Sequence, residues 1–240
     1  MKVVSLAAVI ALGSVQLVLA ANGEWERSLA VGATVTSGNS ETTAANASIV
    51  AEKAGERNEV RLGAEGNFGE STIDGADETT TENAKASLTY KRKFNGSYLY
   101  SDNSLAHDDI ADLDYRLIVG GGYGYRVIKT DTAKLGLELG TAYMHEELAD
   151  DSKDDGILLR ASARHDQTLS ENAKLWATVE YLPRADDFND YLINGEAGAE
   201  AALSKGLSLR VVIQDRYDSI VPVGRDQNDL SIISAVVCQL

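Results

Sequence analysis

From Trp25 to Leu240 the chain is a succession of short segments in which apolar and polar residues alternate. This pattern limits what it can fold into more than any other feature. The clearest segment runs from Lys134 to Tyr143. Leu135, Leu137, Leu139 and Tyr143 are apolar, while Lys134, Gly136, Glu138 and Gly140 are small or charged. Successive side chains of a strand point to opposite faces, so the segment has one apolar wall and one polar wall. Strands are expected near 25–36, 42–53, 58–69, 81–93, 97–106, 114–127, 133–146, 156–167, 173–182, 190–202, 206–217 and 229–240. No helical period competes after residue 21. An even number of such strands closes most economically into an all-β, antiparallel up-and-down transmembrane barrel of about twelve strands. Its apolar wall then faces lipid and its polar wall faces a lumen.

The N-terminal segment fits export. Lys2 is a basic start, Val3 to Ala20 is almost wholly apolar, and Val18-Leu19-Ala20 has the small residues a signal peptidase accepts. Residues 1–20 therefore read as a signal peptide and 21–240 as one barrel domain, with a bacterial outer-membrane location. The formal net charge is −15 and becomes −16 without Lys2. Such an acidic chain is a poor partner for nucleic acid or for anionic phospholipid. Cys238 is the only cysteine, which excludes an internal disulfide, and its place in the last apolar strand reads as a buried thiol. Pro183 and Pro222 are the only prolines, and both fall between expected strands, leaving the hydrogen-bond ladders intact.

Short connections (54–57, 95–96, 129–132, 170–172 and 204–206) alternate with longer, acidic ones (37–41, 70–80, 107–113, 147–155, 183–189 and 218–228), as periplasmic turns alternate with extracellular loops. Asn95-Gly96 is a strong hairpin signal, because both residues tolerate positive φ. The outward wall is expected to hold Leu29, Val31, Ala33 and Val35 in the first strand. It holds Val60, Leu62, Ala64 and Phe68 in the third, Leu117, Val119, Tyr123, Tyr125 and Val127 in the sixth, and Leu207, Leu209, Val211 and Ile213 in the eleventh. Trp25, Tyr115, Tyr125, Tyr143, Tyr181, Tyr191 and Tyr217 fall near strand ends, where amphipathic rings favour the headgroup level. Inward positions carry both signs of charge: Glu59, Arg61, Glu65, Lys85, Lys91, Arg116, Arg126, Glu138, Arg160, Arg164, Glu180, Glu196, Glu200 and Arg210. They form either a plug of salt bridges or the lining of a narrow water path, since twelve strands lie between a filled barrel and an open channel. Gly120-Gly121-Gly122-Tyr123-Gly124 removes bulk from one inner wall, making room for water or for large side chains from the opposite wall.

Trp25, Gly32 and the run Thr36-Ser37-Gly38-Asn39-Ser40-Glu41-Thr42-Thr43 resemble the N-terminal signature of the salt-induced outer membrane proteins (YdiY-like), a domain of unknown function. The resemblance continues through Leu113-Asp114-Tyr115-Arg116, the Gly120–Arg126 strand, and Leu137-Glu138-Leu139-Gly140 with Tyr143. It implies an outer-membrane barrel linked to salt stress and assigns no catalytic or ligand residue.

Enzyme chemistry finds little support. No serine lies two residues after His107, His145 or His165; Asp109, Glu147 and Gln167 stand there, which argues against a barrel phospholipase. His107 beside Asp108 and Asp109, and His145 near Asp150 and Asp151, resemble the Asp–His couple of a rim protease, but carboxylates crowd every rim loop. Paired histidines and cysteine clusters are absent from the sequence, and no cofactor is expected. Asp150, Asp151, Asp154 and Asp155 form the densest acidic loop, a weak attractor for hard cations. The expected function is a non-enzymatic envelope barrel, either structural or a narrow cation-preferring pore with a link to salt or osmotic stress. Its expected partners are outer-membrane lipid, lipopolysaccharide and the barrel assembly machinery. The alternative is a barrel that binds a partner or small ligand through its extracellular loops.

Overall fold

The computed structural model describes residues 24–37, 42–73, 76–221 and 226–240. The signal-like segment, residues 38–41 of the Thr36–Thr43 run and Pro222 lie outside the described residues. Twelve strands follow one another: β1 (Trp25–Ser37), β2 (Thr42–Ala54), β3 (Asn58–Ile73), β4 (Ala76–Lys93), β5 (Ser97–Asp108), β6 (Leu113–Lys129), β7 (Ala133–Leu148), β8 (Lys153–Ser170), β9 (Ala173–Pro183), β10 (Tyr191–Ser204), β11 (Leu207–Asp218) and β12 (Asn228–Gln239). Each pairs antiparallel with the next, and β1 pairs with β12 from Ser28↔Gln239 to Ser37↔Leu230. The sheet is therefore a closed barrel without edges, so every strand has two partners for its backbone groups.

The alternation places side chains as the sequence implied. On β7, Leu137 and Leu139 stand out from the barrel at 46% and 68% exposure, while Ala142 and Met144 are buried inside. Leu29, Val31 and Val35 of β1 and Leu209, Val211 and Ile213 of β11 are likewise exposed on the outer wall. Val60 is the exception. It has outward parity, yet it is fully buried, in register between Lys53 and Tyr90.

Aromatic rings form two outer belts. Tyr115, Tyr143, Tyr181, Tyr191 and Tyr217 lie toward the loop end, with Tyr191 packed on Tyr181 and Tyr217 at centroid distances of 5.5 and 5.8 Å. Trp25, Tyr90 and Tyr125 lie toward the turn end. Tyr115 and Tyr125 are ten residues apart on β6. At about 3.3 Å per residue and a tilt near 40°, the belts are about 25 Å apart, the height of the apolar band of outer-membrane barrels.

The turn end is tight. Phe94 N–H donates to Ser97 O at 2.7 Å across Asn95-Gly96. Only Gly96 adopts positive φ (79°), so Asn95 does not need the freedom that the dipeptide offered. Strands at the loop end run further than the alternation implied. The expected loop 70–80 shrinks because β3 continues to Ile73 and β4 starts at Ala76, with a register shift between Gly69 and Glu70. Asp154 and Asp155 are likewise strand residues, opposite Glu146 and His145. Charge marked these positions as loop, but a carboxylate at a solvated rim keeps its water while its backbone still gains a ladder partner. Lys153, bonded to Glu147 at 2.6 Å, helps to extend that hairpin.

Candidate functional site

Three polar networks line the lumen, each built by the inward alternate positions of adjacent strands. The largest spans β4 to β10 and centres on Arg160. Its guanidinium binds Glu138 at 2.8 Å and pairs with Glu180, and it lies 3.5 Å from Asp102. Lys91 reaches the other oxygen of Glu138 at 2.8 Å, and the Tyr98 hydroxyl donates to that same atom at 2.8 Å. Thr89 donates to Asp102 (2.8 Å) and Asn194 to Glu180 (3.1 Å). Arg160 and Glu138 keep only 10% and 12% side-chain exposure. Charges so enclosed persist because each has several opposite or hydrogen-bonding partners. Toward the turn end, Glu59 takes Lys93 at 2.9 Å.

The second network spans β9 to β11. Trp176 donates to Glu196 at 2.6 Å, Gln214 donates to the other Glu196 oxygen at 3.1 Å, and Glu200 takes Arg210 at 2.7 Å and Lys174 at 3.3 Å. The third is uncharged. Thr34 and Asn46 donate to Asn67 Oδ1 at 3.0 and 2.9 Å, and Asn67 donates to Asn83 at 2.7 Å, crossing β1 to β4.

The glycine run of β6 has a specific task. A Cβ at Gly124 would lie 2.3 Å from the Tyr98 ring, and one at Gly122 would lie 2.8 Å from the Tyr100 hydroxyl. The rings come from β5, the neighbouring strand, rather than from the opposite wall, and lie flat over the bare backbone. There Arg160 covers Tyr100 at 4.9 Å and Lys91 covers Tyr98 at 4.9 Å. Gly198 receives Trp176 in the same way, with a Cβ 2.1 Å from the indole. Beside the Arg160 cluster, Ala142, Met144, Leu158 and Leu182, flanked by Ile118 and Leu192, form an apolar shelf inside the barrel.

Away from this cluster the inner wall is mixed: Ala30, Thr34, Ala44, Asn46, Ala235 and Val237 are buried, but three bases are not. Lys85 is exposed although it points inward, and Arg61 and Arg216 keep 52% and 51% side-chain exposure. A recess of about 120 Å³ lies between the Arg160 cluster, the shelf and Lys85.

At the loop end, the described connections carry Asp109, Asp112, Asp150, Asp151, Asp186, Asp187, Asp190 and Asp226 against a single base, Arg184. The Ser152 hydroxyl, and then the Ser152 N–H that donates to Asp150 at 2.9 Å, hold that carboxyl below the ordinary value. Asp151 occupies a left-handed turn position (φ 64°). Asp154 pairs with Arg184 at 2.6 Å, whereas Asp155 takes His145 at 2.7 Å and the Tyr143 hydroxyl. Three of the four aspartates thus serve separate partners, and among the described residues no group of three or more His, Cys, Asp or Glu side chains is placed to hold a metal ion. An Asp–His couple does form, but His145 pairs with Asp155 and not with Asp150 or Asp151. It faces outward at the upper aromatic belt, and the other ring nitrogen of His145 meets Tyr115 at 3.0 Å, so both nitrogens are engaged in the rim. Tyr98, Tyr100, Trp176, the asparagine ladder and Arg184 had not been singled out from sequence. Aromatic residues at inward parity beside a glycine-rich strand were the available signal.

The sequence from residue 29 to 237 matches the family model described as a protein of unknown function, DUF481. The chain belongs to that family. No curated protein matches it significantly. Among solved structures it is similar to the NanC porin (10% identity, 88% of this chain and 100% of that one, TM-score 0.60). It is also similar to an outer membrane channel from Pseudomonas putida F1 (9%, 92% and 97%, TM-score 0.57). A third is the KdgM porin in complex with disordered oligogalacturonate (11%, 89% and 99%, TM-score 0.52). At these identities the likeness is one of fold: this DUF481 chain has the twelve-stranded architecture of outer-membrane porins and channels.

Proposed function

We propose that this DUF481 barrel sits in the bacterial outer membrane as a narrow water-filled pore whose acidic outer mouth favours cations. One observation carries the reading: three bases at inward positions stay solvated beside packed parts of the inner wall. The Arg160 cluster is packed with ion pairs and rings, while Lys85, Arg61 and Arg216 remain solvated at inward positions. A complete plug would have covered these three as well. The carboxylates of the loop-end connections then set the sign of the potential at the entrance. Outer-membrane lipid and lipopolysaccharide surround the barrel on this reading, and the assembly machinery inserts it. Salt outside the cell acts directly on such a mouth by screening it, which fits the salt-stress role that the sequence resemblance implies.

The test is single-channel recording of the refolded protein in planar bilayers, with fractionation of cells. Conductance with cation-sided reversal potentials and carbonate-resistant membrane association are the expected results. Recovery as a soluble periplasmic protein would end the proposal. A silent barrel would favour a structural role, the reading that the enclosed Arg160 cluster supports.

A further inference from the structure

Val60 is covered although the outer wall around it is bare. Trp25, Lys53, Val60 and Tyr90 lie side by side in one row across β1 to β4, all at outward positions near the turn end. The Lys53 ammonium sits over the Trp25 ring, 5.8 Å from its centroid, and the Tyr90 hydroxyl donates to Asn58 at 2.9 Å. Lys53 and Tyr90 flank Val60, which is fully buried in register between them. Two more bases share the outward parity of this row. Arg27 lies on β1 opposite Ala51, diagonally next to Lys53, and Arg92 lies on β4 opposite Asn58. Both are exposed, and none of the three bases has an ion-pair partner among the described residues.

The sign of charge separates the two ends of the outer wall. No aspartate or glutamate of the described strands has an outward position in the turn half, whereas Glu82, Glu147, Asp155 and Asp215 have one toward the loop end. The net charge of −15 therefore hides a local positive patch. Its depth is that of the turn-end aromatic belt, the headgroup level of a bilayer. Diagonal neighbours on adjacent strands lie about 7–8 Å apart, and the Lys53 ammonium already leans to the strand of Arg27, so the two long side chains reach one phosphate. Away from the turns the same wall continues with the exposed apolar side chains of Leu29, Ile49 and Leu62. We infer that this sector of β1 to β4 is a docking surface for an anionic phospholipid of the periplasmic leaflet. Its phosphodiester meets Arg27 and Lys53, with Arg92 beside them, and its acyl chains lie on Leu29, Ile49 and Leu62. A zwitterionic lipid brings a cation to the same place, finds no carboxylate there and gains less.

This site presupposes that the barrel spans the outer membrane with its turns in the periplasm, as in the pore reading, and one preparation separates the two. Trp25 and Trp176 are the only tryptophans. Trp25 faces lipid within the patch, whereas Trp176 is turned inward over Gly198, so quenching by acyl-brominated lipid reports on the patch. The barrel is refolded into phosphatidylcholine vesicles in which a fixed fraction of either phosphatidylglycerol or phosphatidylcholine carries the bromines. Brominated phosphatidylglycerol should quench more strongly, with a relative association constant at least about fivefold in its favour, the worth of one base at a charged headgroup. Arg27→Gln combined with Lys53→Gln should abolish the preference, and Arg92→Gln should weaken it. Lys205→Gln, in the turn between β10 and β11, should leave it unchanged. Folding of each variant is checked by heat-modifiable gel migration. Equal quenching by the two lipids, a preference that survives the double change, or the same loss in Lys205→Gln would each overturn the inference and leave the barrel in the membrane. Quenching by neither lipid would overturn it together with the membrane location.

Discussion

Gly124 and Leu139 show how single positions carry this fold. Gly124 is the seat of the Tyr98 ring, which delivers its hydroxyl to Glu138. Gly124→Val must displace that ring, and overpacking of this kind costs about 1–3 kcal/mol. In equilibrium unfolding from lipid vesicles, Tyr98→Ala combined with Gly124→Val should cost less than the two single changes added together. Strict additivity would mean that the ring does not occupy that seat. Leu139 is the most exposed apolar residue of β7 and lies between the two belts, whereas Leu137 pairs in register with Tyr125 near the turn-end belt. Leu139→Arg should therefore cost about 2–4 kcal/mol or block insertion, and Leu137→Arg less, because the penalty falls toward the interface. Glu138→Gln, one residue from each and inward, should cost about 1.5–3 kcal/mol, since Arg160 keeps Glu180 and Asp102. Leu139→Arg milder than Glu138→Gln would shift the strand register by one residue.

At the scale of elements, the hairpins were legible because alternation survives in nearly every strand. Glu138, Arg160, Lys91 and Glu180 were assigned inward from parity alone, and these four meet in one cluster. Their partners were not legible, because pairing across strands depends on barrel register and stagger, which no local pattern encodes. The segment after β9 makes the same point. Pro183 marked a loop, yet Arg184 N–H bonds Asp190 O and Ala185 N–H bonds Ile157 O, both at 2.8 Å, so the loop continues along β8. The side chain of Arg184 fastens it to Asp154 (2.6 Å), Asp186 (3.3 Å) and Asp190 (3.4 Å). Asp186 is held below its ordinary value by its own backbone hydrogen bond and by Arg184, so its contribution is present at neutral pH and is lost as pH falls through that lowered value. Burial pushes Asp190 up, so its charge opposes folding at neutral pH and is relieved first on acidification. Hydrogen exchange at Arg184 and Ala185, corrected for intrinsic rates, should thus hold or strengthen under mild acid and collapse below about pH 3–4, the ordinary aspartate range. Arg184→Gln should lose this protection already at neutral pH. Unchanged protection in that variant would mean that backbone pairing alone holds the loop.

For the whole molecule, the decisive property is that charge is distributed unevenly along the barrel axis. The described turn-end connections are close to balanced, with Glu56, Asp131 and Glu171 against Arg57 and Lys205, whereas those of the loop end hold eight carboxylates against Arg184. Inside, acids and bases largely neutralise one another, so the long-range field comes from the mouth. Reversal potentials in a salt gradient should therefore be cation-sided at low ionic strength. They should shrink as salt rises, because the Debye length falls from about 10 Å at 0.1 M to about 3 Å at 1 M and the carboxylates then cease to act across the opening. The position of each charge also matters. Asp154 shares the inward parity of Arg160 and holds Arg184, whereas Asp155 is turned outward to His145. Asp154→Asn and Asp155→Asn remove the same formal charge, but the inward one lies nearer the ion path and should shift the low-salt reversal potential more. Neutralising Asp150 and Asp151 together with these two should reduce selectivity further. If the Asp155 variant shifted selectivity as much as the Asp154 variant at 0.1 M, the orientation of β8 at the rim would be wrong. Anion-sided potentials at every ionic strength would instead mean that Lys85, Arg61 and Arg216 in the lumen, and not the mouth, govern passage.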